Sequence, residues 1–133
     1  ESMLGEERLV GAYAWRSLLR SGARLAFGSD FPIESPDPLQ GLHAACTRQN
    51  REGRPEGGFR PQERLSRCEA LEAFTSGAAF AAFEEAEAGR IAPGMRADIS
   101  AYDRDLLEVA DHDLLRAQVV LTLVGGAVGF ERR

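Results

Sequence analysis

"AFGSDFPIESPDPLQG" (residues 26–41) reads as the end of a strand followed by a rigid turn. The apolar run "ARLAF" (23–27) is bounded by Gly22 and Gly28, and Asp30 stands just past its tip. Pro32, Pro36 and Pro38 follow within eight residues and fix the backbone there. A carboxylate at the carboxyl end of a strand, beside a loop with few conformations, is what a preorganised site requires. Gly28 lets the backbone come close to a ligand, and Ser29 adds a hydroxyl. The other reading of Asp30 is a turn residue that satisfies nearby amides. Either way the stretch makes the fold α/β.

Upstream, "GEERLVGAYAWRSLLRS" (5–21) spaces Val10, Ala14 and Leu18, and also Trp15 and Leu19, as a helix does. Glu6 and Glu7 suit its positive end, and Gly22 closes it. Helix, glycine and short apolar strand make half of a repeating α/β unit. Downstream, residues 37–49 predict a second helix with Asp37 as N-cap and Pro38 in the first position. Residues 50–61, "NREGRPEGGFRP", predict an exposed and mobile polar loop. Ser66 and Glu69 form a capping box opening a helix through about Phe74, and "TSGAAFAAFEEA" continues as another.

The texture changes at Gly89. Alternating residues after Pro93-Gly94 predict a strand near 97–102. Residues 111–117 predict a helical turn or loop. "QVVLTLVGGAVGFER" predicts a hairpin with strands at 118–124 and 127–131 around Gly125-Gly126. Two units follow, 1–88 (α/β) and 89–133 (mostly β). The α/β strand has no visible partner in the sequence, and a lone strand cannot satisfy its backbone.

The formal net charge is −5, which argues against a general nucleic-acid surface. All 16 basic residues are arginine, which predicts a solvated surface and leaves no lysine for a Schiff base or a bridging ligand. The hydrophobic fraction, 44%, suits a globular core. No apolar run reaches the roughly 18 residues of a membrane span, and the first residues do not read as a signal peptide. The two cysteines, Cys46 and Cys68, form no CxxC pair. A reduced, cytoplasmic protein without membrane contact is expected.

Several side chains have both a chemical and a structural reading. His43, on the helix after the strand tip, is a candidate substrate contact or a partly exposed helical histidine. Arg48 is a candidate clamp for a substrate carboxylate or a helix-end surface arginine. His112 reads as a solvated loop residue. Cys46 and Cys68 read as buried thiols, and Phe74, Phe80 and Phe83 as core. No GxSxG and no GK[ST] ending is present, so neither a serine-hydrolase elbow nor a phosphate loop is read.

Four ordered stretches resemble the metal-dependent amidohydrolase superfamily, in its N-substituted formamide deformylase-like branch. "GARLAFGSDFPIESPDPLQGLHAACTR" resembles the last barrel strand with its "GSD-x-P", "DPL" and "TR" features. "EALEAFTSGAAFAAF" resembles the post-barrel helix. "GRIAPGMRADISAYDRD" and "VVLTLVGGAVGF" resemble the return strand and the terminal hairpin. The resemblance implies the last helix–strand units of a (β/α)8 barrel over 1–88, then C-terminal strands of a small β-sandwich over 89–133. It implies that Asp30 binds a divalent metal, zinc by expectation, and takes a proton from the attacking water. It implies hydrolysis of C–N bonds in a small amide, formamide or cyclic amide, and it gives Asp98 an anchoring role at the turn into the sandwich.

The chain departs from that pattern. The family's His-x-His and further histidines are missing, and His43 and His112 are unpaired. A catalytic zinc takes about three protein ligands and a barrel about 250 residues. The expectation is a C-terminal piece of such an enzyme, inactive alone and prone to self-association through uncovered apolar faces. The alternative is a non-catalytic structural or oligomerisation module derived from one.

Overall fold

A computed structural model describes residues 5–133, with the side chain of Glu6 left out, so the expected part of Glu6 in opening the first helix lies outside the described residues. The helical half comprises α1 (Glu6–Leu9), α2 (Trp15–Arg20), α3 (Pro38–Thr47), α4 (Arg67–Phe74) and α5 (Ser76–Ala81), with a 3-10 turn at Pro61–Glu63. The second half holds β1 (Ile99–Tyr102), α6 (Asp111–Leu114), β2 (Val119–Val124) and β3 (Ala127–Glu131).

The expected helix over 5–21 is two short helices. The first ends at Leu9; Gly11 weakens the turn that follows, and Tyr13 takes a left-handed backbone (φ 52°) just before the second, its ring meeting Trp15 and Phe59. Ala14 cannot cap α2, so the buried Glu63 does so from a distance. Its carboxylate accepts from the Ser17 amide (2.9 Å) and hydroxyl (2.7 Å), holding its pKa below the usual carboxylate range.

The other helix starts follow the sequence. The Asp37 side chain accepts from the Leu39 amide (3.0 Å), and Ser66 and Glu69 complete their capping box. Thr75 breaks α4 from α5. The second of these stops at Ala81 because Phe83 turns left-handed (φ 61°). Phe83 is 92% exposed and Phe80 is also exposed, so of the three expected core phenylalanines only Phe74 packs against the core. Cys46 is half-buried, but Cys68 is exposed, contrary to expectation, because it lies on the outer face of α4.

Residues 23–29 are neither helix nor strand and form no sheet with any described residue. The predicted strand is therefore an unpaired segment lying along α4 and α5. The Phe27 amide donates to the Ala73 carbonyl (2.9 Å), and the Leu25 carbonyl abuts Gly77. Trp15, Phe27 and Phe74 form a tilted aromatic row from α2 to α4. Behind it Leu39, Leu42, Ala45, Leu65, Ala70 and Leu114 form the buried core, joining α3, α4 and α6.

The hairpin forms as read. The strand order is β1-β2-β3, all antiparallel, with Ala101 opposite Leu121 and Val124 opposite Ala127. Gly125 and Gly126 both have positive φ (56° and 83°), the conformation a two-residue hairpin turn needs. Asp98 anchors this turn: its carboxylate accepts from the Gly125 amide (2.7 Å) and from Arg96 (2.6 Å).

Two predictions follow from this packing. A Cβ at Gly77 would meet the Leu25 backbone, so Gly77→Ala should cost about 1–3 kcal/mol in urea unfolding with an unchanged m value. The second concerns Glu69, whose pKa falls from 4.5 to about 2, chiefly through its hydrogen bond from Arg16. A depressed carboxylate stabilises the fold fully above the unfolded value of 4.5, and that stabilisation is lost as the pH falls towards about 2. Between those limits, acid titration should show stability falling more steeply in the native chain than in Glu69→Gln.

Candidate functional site

Asp30 stands where the segment 23–29 turns. Its backbone is left-handed (φ 51°), an uncommon state for a residue with a Cβ, and its carbonyl accepts from the Ile33 amide (2.8 Å). The side chain is exposed and has no partner among the described residues. A carboxylate spent on turn-making would bond nearby amides. Here the backbone carbonyl closes the turn and the carboxylate remains free, while Ser35 accepts from the Asp37 amide (3.3 Å) at the far end of the loop. The exposed rings and chains of Phe31 and Ile33 flank it.

His43 is buried on α3 at 6% exposure, not partly exposed. Its Nδ1 lies 3.5 Å from the Thr47 hydroxyl, which itself donates to the His43 carbonyl (2.8 Å). Burial inside the helical half pushes the imidazole pKa down.

Arg48 is buried too, at 7% exposure, rather than lying on the helix-end surface. Its guanidinium sits 4.2 Å above the Trp15 ring and within 6 Å of Tyr13 and Phe59 (5.9 and 5.8 Å). Its Nε donates to the Phe59 carbonyl (3.0 Å). Burial lowers its pKa, with Glu63 acting in the opposite sense. No hydrogen bond or ion pair among the described residues joins Asp30, His43 and Arg48. α3 separates the first from the last, since ten residues of helix span about 15 Å.

The expectation that arginines are solvated fails at several positions. Arg16 reaches the Glu69 carboxylate and the Arg64 carbonyl (3.1 Å), and Arg67 reaches the carbonyls of Leu106 and Val109 (both 3.2 Å) and Asp111. Arg64 reaches the carbonyls of Thr47 (3.1 Å) and Gly57 (2.6 Å). No local pattern marks these long-range bonds. Glu63, also missed, carries no signal beyond its place after Pro61. His112 is exposed as expected, 3.2 Å from Asp113.

An open apolar cavity of about 860 Å³ lies between α3, α4, α5 and β1, with Leu42, Phe74, Ile91 and Tyr102 in its wall. None of Asp30, His43 and Arg48 lines it. Among the described residues no cluster of three or more His, Cys, Asp or Glu could hold a metal ion. The described residues alone therefore do not assemble a metal centre. No described helix is long and apolar enough to cross a membrane.

Known proteins are similar to this chain in sequence and fold. The protein YtcJ of Bacillus subtilis is 31% identical over 129 residues, 97% of this chain and 24% of that one. The N-substituted formamide deformylase of Arthrobacter pascens is 33% identical over 117 residues, 88% of this chain and 21% of that one. The crystal structure of an uncharacterized metal-dependent hydrolase from Pyrococcus horikoshii superposes with a TM-score of 0.69 at 31% identity, covering 80% of this chain and 22% of that one. The chain thus spans about a quarter or less of the length of the curated relatives it matches. A sequence model of the Amidohydrolase family matches residues 1–130, and with these relatives it shows that the chain belongs to the Amidohydrolase family.

Proposed function

We propose that this chain is the C-terminal portion of a metal-dependent amidohydrolase that hydrolyses a C–N bond in a small amide, formamide or cyclic amide. Residues 1–88 would close the hydrolase barrel, and residues 89–133 would form part of its β-sandwich. The observation that carries this reading is a family match over residues 1–130 by a chain spanning only 24% or less of its relatives.

Within it, Asp30 is the residue this chain gives to the metal and to proton transfer. Its carboxylate is exposed, unspent, and displayed by a turn that other atoms close. A divalent metal such as zinc, when bound, lowers the pKa of water towards neutrality. The remaining ligands would come from elsewhere in the parent enzyme, so the chain alone is inactive on this reading. His43 and Arg48 would serve the site through the packing of α3 rather than by touching substrate, because both are enclosed.

Two features support a missing cover. The segment 23–29 leaves most of its backbone without a sheet partner, as a barrel strand removed from its neighbours would. Large apolar side chains, among them Val10, Ile33, Phe83 and Ile91, are 68–92% exposed. In the isolated chain these surfaces favour self-association.

Calorimetry with zinc, on the chain and on Asp30→Asn, tests the reading. The expected result is no binding, or weak binding that the substitution leaves unchanged. Tight binding that requires Asp30 would show a complete site within the chain or its oligomer and would overturn the fragment reading. In the parent enzyme Asp30→Asn should lower kcat by about a hundred- to ten-thousand-fold without loss of fold. An unchanged rate would instead favour the non-catalytic module.

A further inference from the structure

The polar stretch after α3 has the composition of a mobile loop, yet its ends are locked together. The Phe59 amide donates to the Arg48 carbonyl (2.8 Å), and the Arg48 Nε–H donates back to the Phe59 carbonyl (3.0 Å). This reciprocal pair closes the loop where it meets the last turn of α3. The guanidinium face lies 4.2 Å over Trp15, and Tyr13 and Phe59 complete an aromatic enclosure around it. Arg60 and Glu63 are the charged groups that act on it from the return side of the loop.

Arg48 also holds an unfavourable backbone. It caps α3 with φ 64°, a left-handed position that glycine usually fills. A residue with a Cβ keeps that state only where its surroundings over-determine it. The loop closes tightly against it: a Cβ at Gly58, itself at φ +85°, would lie 3.1 Å from the Arg48 Cβ and overlap the Thr47 carbonyl. Inside the closure, Gln49 donates to the carbonyls of Gly53 (2.9 Å) and Pro55 (3.1 Å), and the Asn50 side chain accepts from the amides of Glu52 and Arg54.

We propose that Arg48 is the clasp of the 49–59 loop, a positioning residue whose stacked guanidinium holds this exposed loop closed on the end of α3. The loop is then a preformed surface feature that presents Arg51, Glu52, Arg54 and Glu56 in one arrangement. This inference does not depend on the proposed hydrolase activity.

The test compares the 133-residue chain with Arg48→Gly, Arg48→Ala and Arg48→Lys. Arg48→Gly removes the side chain while favouring the left-handed backbone, so it should melt close to the native chain. Its loop should nevertheless be cut about tenfold faster by trypsin after Arg51 and by a glutamate-specific protease after Glu52 and Glu56, as a locally opened segment is. The Phe59 amide should lose exchange protection while that of Ala70 keeps it, and the emission of Trp15, the only tryptophan, should change. Arg48→Lys keeps the charge without the planar fork and should fall between. Unchanged loop cleavage and Phe59 protection in Arg48→Gly would overturn the proposal, as would acceleration matched at sites outside the loop. Should Arg48→Ala unfold, Arg48→Gly and the native chain decide: a native Phe59 amide exchanging as fast as those of residues 51–53 would also overturn it.

Discussion

The helical half rests on one close approach, that of the Leu25 carbonyl to Gly77 at the start of α5. Any larger residue would push the segment 23–29 off the α4–α5 pair. With the gap closed, the Phe27 amide reaches Ala73, and the rings of Trp15, Phe27 and Phe74 meet in tilted and edge-to-face contacts across the junction. The direction in which the segment ends, and hence where Asp30 is displayed, follows from that seating. The segment is held at that junction by helix packing, through the Phe27–Ala73 hydrogen bond and the Leu25–Gly77 approach.

A second theme is the use of arginine as a cross-chain tie. Its planar donors reach carbonyl oxygens that short polar side chains cannot. Arg16, Arg64 and Arg67 each satisfy backbone acceptors far away in sequence, and Arg48 adds an aromatic enclosure to the same task. A chain without lysine has in this way turned part of its cationic surface into internal bracing. The acids follow suit: Glu63 replaces an absent helix cap, and Glu69 serves both its own capping box and Arg16.

Local signals in the sequence were read reliably where the cause of structure is local. The caps at Asp37 and Ser66, the Gly125-Gly126 hairpin and the Asp98 anchor all depend on groups a few residues apart or on a turn with one allowed geometry. Reading failed where distant partners decide. The helix over 5–21 is split by a turn in which Tyr13 takes a left-handed backbone and meets Trp15 and Phe59, and Phe83, left-handed just past α5, lies outside the core. The polar loop, mobile by composition, is tied by bonds from Gln49, Arg48 and Arg64.

By itself, then, the sequence determined the family motifs, the place of Asp30 just past the apolar run 23–27 and the order of the elements, because each is written in residue type and short spacing. Only the tertiary structure decided that the carboxylate of Asp30 stays free while His43 and Arg48 are enclosed. Exposure is set by what packs against a helix, and the partners of α3 come from α2, α4, α6 and the loop beyond it. No spacing rule along one segment encodes that meeting, which is why a histidine and an arginine that look like site residues in the sequence are enclosed in the packing around α3.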